Sequence, residues 1–221
     1  ERQDVYADSD LLYSIYSGGD DLFFAGAWDL MPLLAEQISR DLGKFSAGHE
    51  GIHLSGGVAL IPSKYPLYQA ADDAAEAEHA AKAPRRDGQA KNALNFLSQT
   101  MEWQKFGKVK AYQQQLAELV APDDDSQAVP KSLLQKLQQL YEEFDEFRQE
   151  QEARGEPPKT YWGPGQWHSA YTLSRLAERN KFAREEIEGI RVKLQLDQFT
   201  EIEWLGLAAR WAALVTRAHE S

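Results

Sequence analysis

At Phe106 the sequence changes character, and this change limits what the chain can fold into more than any single residue does. Before it, short runs rich in β-branched and aromatic residues alternate with helical patterns. After it, the periodic stretches repeat at the 3.6-residue spacing of amphipathic helices. A mixed strand-and-helix layer followed by an all-helical region is the expected architecture, with the boundary between Phe106 and Pro130. The 221 residues suit one large domain or two modest ones of about 100–200 residues each.

The first segment reads as strand, tight turn, strand. Leu11, Tyr13 and Ile15, then Leu22, Phe23 and Phe24, flank Ser17-Gly18-Gly19-Asp20-Asp21. Asp29 is placed to cap a helix over Leu30–Lys44, ended by Gly43 and Gly48. Ile52, Leu54, Val58, Leu60 and Ile61 suggest a further strand interrupted by Gly56-Gly57, and Pro66 opens an Ala-rich helix through Lys82. A polar link over Ala83–Gln89 leads to Asn92–Trp103, which fits a strand or the start of a helix and is read as one more strand because no cap precedes it. This order predicts an α+β layer with helices on one face.

Helices are then expected over Lys108–Val120, Ser132–Gln151, Trp167–Asn180, Phe182–Lys193 and Phe199–His219. A break falls at Pro122–Ser126 and a loop at Gly155–Gly165. Leu133, Leu137, Leu140, Tyr141 and Phe144 share one helical face; Trp204, Leu207, Ala208, Trp211, Leu214 and Val215 share another. The domain reading is 1–106 for the mixed layer, 107–130 for a connecting helix and linker, and 131–221 for the helical region.

Composition excludes several classes of function. There is no cysteine, so disulfides, thiolate zinc sites and thiol nucleophiles are absent together. No run approaches the roughly 18 consecutive apolar residues of a membrane span, and the acidic start is unlike a signal peptide. A cytoplasmic chain without membrane contact is expected. Net charge is −11; residues 1–85 carry 14 acids and 6 bases, and the remainder 21 and 18. That balance does not attract nucleic acid as a whole surface, but it suits capture of a divalent cation, besides solubility.

One motif carries chemistry. Tyr16-Ser17-Gly18-Gly19-Asp20-Asp21-Leu22 puts adjacent carboxylates at the tip of a hairpin. The glycines allow close approach of a phosphate or base to the backbone. Carboxylates at such a place hold Mg²⁺ between themselves and substrate phosphates, and two ions serve in-line phosphoryl transfer. A solvated turn draws on the same residue types.

The run Leu11–Trp28, the helix after it, Ile52-His53-Leu54-Ser55-Gly56-Gly57-Val58-Ala59, Pro62-Ser63-Lys64-Tyr65-Pro66 and the helix ending Ala80-Ala81-Lys82 together resemble one family. It is the second palm domain of the large polymerase-like subunit of type III CRISPR–Cas effector complexes, in the Csm (III-A) branch. Lys91-Asn92-Ala93 and Glu102-Trp103 sit where that family has a strand running into a helix, and the helical remainder, including Tyr171-Thr172-Leu173-Ser174-Arg175, resembles its C-terminal helical domain. The resemblance implies a ferredoxin-like palm of the nucleotidyl-cyclase and polymerase kind. It further implies conversion of ATP into cyclic oligoadenylates when target RNA is bound, with Mg²⁺ or Mn²⁺ as cofactor. Carried over residue by residue, it makes Asp20 and Asp21 the metal-binding catalytic pair and Gly18 and Gly19 the nucleotide lining. Ser17 and Ser55 become contacts to ribose or base, and Lys82 a triphosphate contact, although a lysine ending a helix also serves as a dipole partner. The implied partners are a neighbouring repeat-binding subunit, small helical subunits, and target RNA reached through the complex.

The chain also departs from that family. A further metal-binding Asp belongs on a first palm strand well upstream, and Asp4, Asp8 and Asp10 lie too close to the hairpin to occupy it. The palm is thus expected to lack its first strand and helix here. None of the five histidines is followed by Asp, as the family's HD nuclease requires, and its four-cysteine zinc element has no counterpart. The expectation is the C-terminal part of a larger subunit, whose isolated fragment is inactive.

Two other functions fit parts of the pattern. One is a non-catalytic assembly module; the other is a diguanylate cyclase, which prefers Glu-Phe where this chain has Asp21-Leu22. His49 and His53 lie four apart but are broken by Gly48 and Gly51, against a metal pair, and His79 is expected to face solvent. Asp123–Asp125 reads as a solvated loop. Trp162, Trp167, His168 and Tyr171 are expected to close a small core, base stacking being the other option. Arg175, Arg179, Lys181, Arg184, Arg191 and Lys193 make a basic stretch diluted by Glu178, Glu185, Glu186 and Glu188, a mixed surface by default.

Overall fold

A computed structural model of the chain describes residues 11–85, 88, 90–122, 127–155, 164–196 and 199–218. It divides into two compact units between Phe106 and Gly107.

In the first unit, β1 (Leu12–Gly18) and β2 (Asp21–Gly26) form an antiparallel hairpin, Gly18 opposite Asp21 and Ser17 opposite Leu22. The register slips between Ser14 and Tyr16, a bulge that adds twist near the turn. Helix α1 (Met31–Phe45) follows, but Asp29 is not its cap. The N-cap is Leu30, without a side-chain hydrogen bond, and Pro32 sits in the first turn, where its missing N–H costs nothing. Gly43 lies inside the helix; the chain stops where Gly48, at φ +72°, donates its N–H to the Gly43 carbonyl at 2.8 Å.

The expected strand around Ile52–Ile61 shrinks to β3 (Gly56–Val58), and the two glycines form the strand rather than interrupting it. Their reason is packing. A Cβ on Gly57 would collide with the backbone nitrogen of Glu78 and lie 2.6 Å from the Ala77 carbonyl carbon, so only glycine lets α2 (Leu67–Lys82) lie this close. The small residues on α2, with Ala70 and Ala81 buried, serve the same close approach. Strand β3 pairs in parallel with β4 (Ala93–Phe96), so α2 is the crossover helix that a parallel pair demands.

Asn92–Trp103, expected as a single strand, is a second hairpin. Strands β4 and β5 (Gln99–Glu102) pair antiparallel around Leu97 and Ser98, both left-handed at φ +52° and +59°. Such a turn normally advertises itself with Asn-Gly, and no such signal exists here. All four residues of β4 are buried; Asn95 satisfies its amide by donating to the Thr100 hydroxyl at 2.9 Å. Trp103 donates its indole N–H to the Leu54 carbonyl at 2.8 Å and so pins the segment that leads into β3. The described strands therefore form two sheets, β1–β2 and β3–β4–β5.

Helix α3 (Trp103–Val120) begins earlier than Lys108 and runs across the division. The second unit continues with α4 (Ser132–Ala153), α5 (Pro164–Arg179), a 3₁₀ turn at Lys181–Ala183, α6 (Arg184–Leu196) and α7 (Ile202–Ala218). Helix α7 starts at Ile202 rather than Phe199, whose ring packs in the core 6.1 Å from that of Phe144. Leu133, Leu137, Leu140 and Phe144 are buried as expected, and so are Leu207, Ala208 and Trp211; Tyr141, Trp204, Leu214 and Val215 are only half-buried. Helices α4 and α7 pack together, and Gly206 sets their approach, since a Cβ there would fall 2.5 Å from Tyr141 Cβ. Trp167 and Tyr171 are 76% and 62% exposed and His168 is exposed, so they close no core. Their helix instead buries Ser169, Leu173 and Ala177. Trp162, Asp123–Asp125, Asp4, Asp8 and Asp10 lie outside the described residues.

Candidate functional site

The β1–β2 turn is a two-residue loop, Gly19-Asp20, between the paired residues Gly18 and Asp21. Gly19 has φ +65°, while Asp20 is not in the left-handed region, the type II′ pattern that demands glycine at the first central position. The turn chemistry thus places two consecutive carboxylates, both exposed, on the outermost point of the hairpin. Above Gly19 an added Cβ would meet nothing within 4 Å, so its backbone stands open to a ligand. Gly18 does not: the Tyr16 hydroxyl lies 2.8 Å from where its Cβ would be. The two glycines therefore differ, one permitting the turn and approach, the other making room for the Tyr16 phenol.

Lys82, the last residue of α2, bonds Glu78 through Nζ to Oε1 at 2.6 Å. Its pKa is raised above the ordinary lysine value. The Glu78 hydrogen bond is the largest cause; partial burial opposes it, and the charges of Glu78, Asp21 and Asp20 add to the rise. The ammonium is therefore near enough to sense both turn carboxylates, although more than sixty residues separate them in sequence. Glu78 is in direct contact with Lys82, while Asp20 and Asp21 act on it through their charge alone.

Ser17 is exposed on β1 opposite Leu22, adjacent to the turn. Ser55 is half-buried immediately before β3, in the other sheet. Neither Glu78 nor Tyr16 was singled out by the sequence. Glu78 had a signal, standing four residues before Lys82 on a helix; Tyr16 had none, because its overlap with Gly18 is a rotamer choice.

Among the described residues no group of three or more histidines and acids is arranged to hold a metal ion. A cavity of about 200 Å³ lies elsewhere in the first unit, lined by Ser46, His49, His53 and Asn92 among others, and it includes neither turn carboxylate nor Lys82. His79 is exposed, as expected. In the second unit the basic stretch is mixed, with Arg191 on Glu188 at 2.6 Å and Arg175 3.9 Å from Glu178. No helix among the described residues is long and apolar enough to cross a membrane.

Comparison with known proteins bears on the hairpin unit directly. The family model described as Cas10/Cmr2, second palm domain, matches residues 2–94. The chain is 32% identical over 137 residues to a CRISPR system single-strand-specific deoxyribonuclease Cas10/Csm1 (subtype III-A) of Enterococcus italicus, covering 60% of this chain and 17% of that protein. Proteins of the same description in Methanocaldococcus jannaschii and Mycobacterium tuberculosis are 37% and 36% identical over 71 and 75 residues, covering 32% and 34% of this chain and 9% of each of theirs. An alignment of 137 residues is longer than the palm match, so the similarity to the first relative reaches beyond it. The chain spans less than a fifth of the length of these relatives. Over residues 2–94, which include the carboxylate-tipped hairpin, this chain is similar to the second palm domain of the Cas10/Cmr2 family.

Proposed function

We propose that this chain contributes a metal-dependent nucleotidyl-transfer site to an RNA-guided type III CRISPR effector complex in the cytoplasm, and that the site converts ATP to cyclic oligoadenylate. The observation that carries the reading is the exposed Asp20–Asp21 pair on a glycine turn, with Lys82 within electrostatic reach of both. The palm is of the ferredoxin-like kind, completed by a first strand and helix from elsewhere in a larger subunit. The partners are the neighbouring repeat-binding subunit, the small helical subunits and target RNA.

The donor set fits Mg²⁺ or Mn²⁺. Mg²⁺ is commonly held by one or two carboxylates together with substrate phosphates and several waters, and Asp20 and Asp21 supply that number of hard oxygen donors. When bound, such ions activate the attacking 3′-hydroxyl and neutralise charge on the transferred phosphoryl group. The protein's own part is positioning. Asp20 and Asp21 hold the ion side of the site, and Gly19 leaves the backbone open to the phosphates. Lys82 offsets the triphosphate charge, and Ser17 and Ser55 contact ribose or base. The deoxyribonuclease activity in the relatives' name is not assigned to this chain, in which no histidine is followed by aspartate.

Asp20→Ala combined with Asp21→Ala, made in the intact subunit, tests the reading. Oligoadenylate synthesis is expected to vanish while assembly and RNA binding stay near normal, because loss of exposed turn charges changes stability by only about 0.5 kcal/mol. Synthesis at near wild-type rate sinks the enzyme reading. Failure to assemble supports instead a non-catalytic docking module. The exposed Trp167 and Tyr171 on α5 favour that second reading, since such aromatics are enriched at interface cores.

A further inference from the structure

We propose that Glu78 is a positioning residue that holds the Lys82 ammonium beside the Asp20–Asp21 turn, ready for the phosphates of a nucleoside triphosphate. The inference rests on the nucleotide-binding reading of that turn and adds to it a residue that touches no substrate.

The local geometry supports it in three ways. First, the Glu78 carboxylate contacts Lys82 Nζ at 2.6 Å, the short range of a charge-assisted hydrogen bond. Second, the base of this contact is rigid. Glu78 lies where α2 meets β3 at Gly57, and its own backbone nitrogen is the atom a Cβ on Gly57 would strike. Two carbons beyond the Cβ, its carboxylate therefore starts from a backbone fixed by sheet packing, whereas Lys82 ends the helix beside extended Ala83. Third, Lys82 keeps donors to spare. An ammonium has three N–H groups, one is engaged by Glu78, and the side chain is still 44% exposed. A phosphate oxygen can take a second donor without breaking the first contact.

A lysine side chain is long and mobile, so ordering it on binding opposes affinity. Glu78 imposes part of that order before the nucleotide arrives. Its negative charge would act the other way if it simply competed with phosphate for the ammonium, and the two effects predict opposite signs. That makes the inference decidable.

The experiment is a double-mutant cycle on ATP affinity, measured calorimetrically in the intact subunit with Mg²⁺. Lys82→Ala, Glu78→Ala, Glu78→Gln and the Lys82→Ala/Glu78→Ala pair are compared with wild type. Glu78→Ala is expected to weaken binding about three- to tenfold. Glu78→Gln should restore most of the loss, because its amide oxygen accepts the same hydrogen bond. In the Lys82→Ala background, Glu78→Ala should have no further effect. Unchanged or tighter binding by Glu78→Ala overturns the inference, and so does an equal loss with and without Lys82, which would mark a merely structural role. If Lys82→Ala itself leaves affinity unaltered, the phosphate role of Lys82 falls and this inference falls with it. Loss with Lys82→Ala but not with Glu78→Ala removes the inference alone.

Discussion

Glu201 shows how a single charge organises the second unit. Nearly buried just before α7, it accepts a hydrogen bond from the Tyr112 hydroxyl at 2.8 Å and pairs with Lys108, both on α3. Lys108 and Lys193 also lie over the Tyr112 ring, Lys193 at 4.8 Å from its centroid. Lys108 is 38% exposed, so the ion pair itself adds little; the buried hydrogen bond dominates. Glu201→Ala should therefore destabilise the helical unit by about 1–3 kcal/mol. Thermal melting should fall by about 2–4 °C for each kcal/mol, and Glu201→Gln, still able to accept from Tyr112, should lose clearly less. An unchanged melting temperature for Glu201→Ala would contradict this. In the sequence Glu201 looks like an ordinary acid at a helix start, because its partners lie about ninety residues away. Asp20 and Asp21 are the opposite case, legible at once, because a glycine turn between two β-rich runs is a local signal that needs no partner.

At the scale of elements, the glycines divide by what surrounds them. Gly57 faces the backbone of α2, which no rotamer change can move aside, so Gly57→Ala should force β3 and α2 apart. The expected cost is about 1–3 kcal/mol, typical of overpacking. Gly43, inside α1, has nothing within 4 Å of an added Cβ, and Gly43→Ala should instead stabilise by about 0.5–1 kcal/mol through helix propensity. Opposite shifts in denaturant midpoint test the pair; a neutral Gly57→Ala would refute the packing argument. The same contrast explains which elements the sequence revealed. The hairpin, α1, α2 and the five later helices carried their own periodicity or turn residues. Strand β3 and the β4–β5 hairpin did not. Their definition comes from the closeness of α2 and from the left-handed Leu97 and Ser98, a conformation that these residue types rarely adopt.

At the scale of the whole molecule, the β1–β2 hairpin forms a two-stranded sheet among the described residues, with Leu11, Tyr13, Tyr16 and Leu22 exposed. Two strands alone are marginal in water, and the turn they carry offers two carboxylates without a third ligand among the described residues. The isolated 221-residue chain should therefore not turn over labelled ATP with Mg²⁺ or Mn²⁺. Its β1–β2 amides should also exchange with solvent far faster than those of buried β4. Turnover by the isolated chain, or equal protection of the two sheets, would refute this account. By itself the sequence determined the first hairpin with its acidic turn and the existence of most of the helices, because periodicity, glycine and charge act over a few residues. Only the tertiary structure decided that Glu78 is bound to Lys82, that Gly57 lets α2 pack so closely, and that Glu201 anchors α3. The last two depend on how distant segments approach, and that is settled by the packing of whole elements rather than by the residues adjacent in the chain.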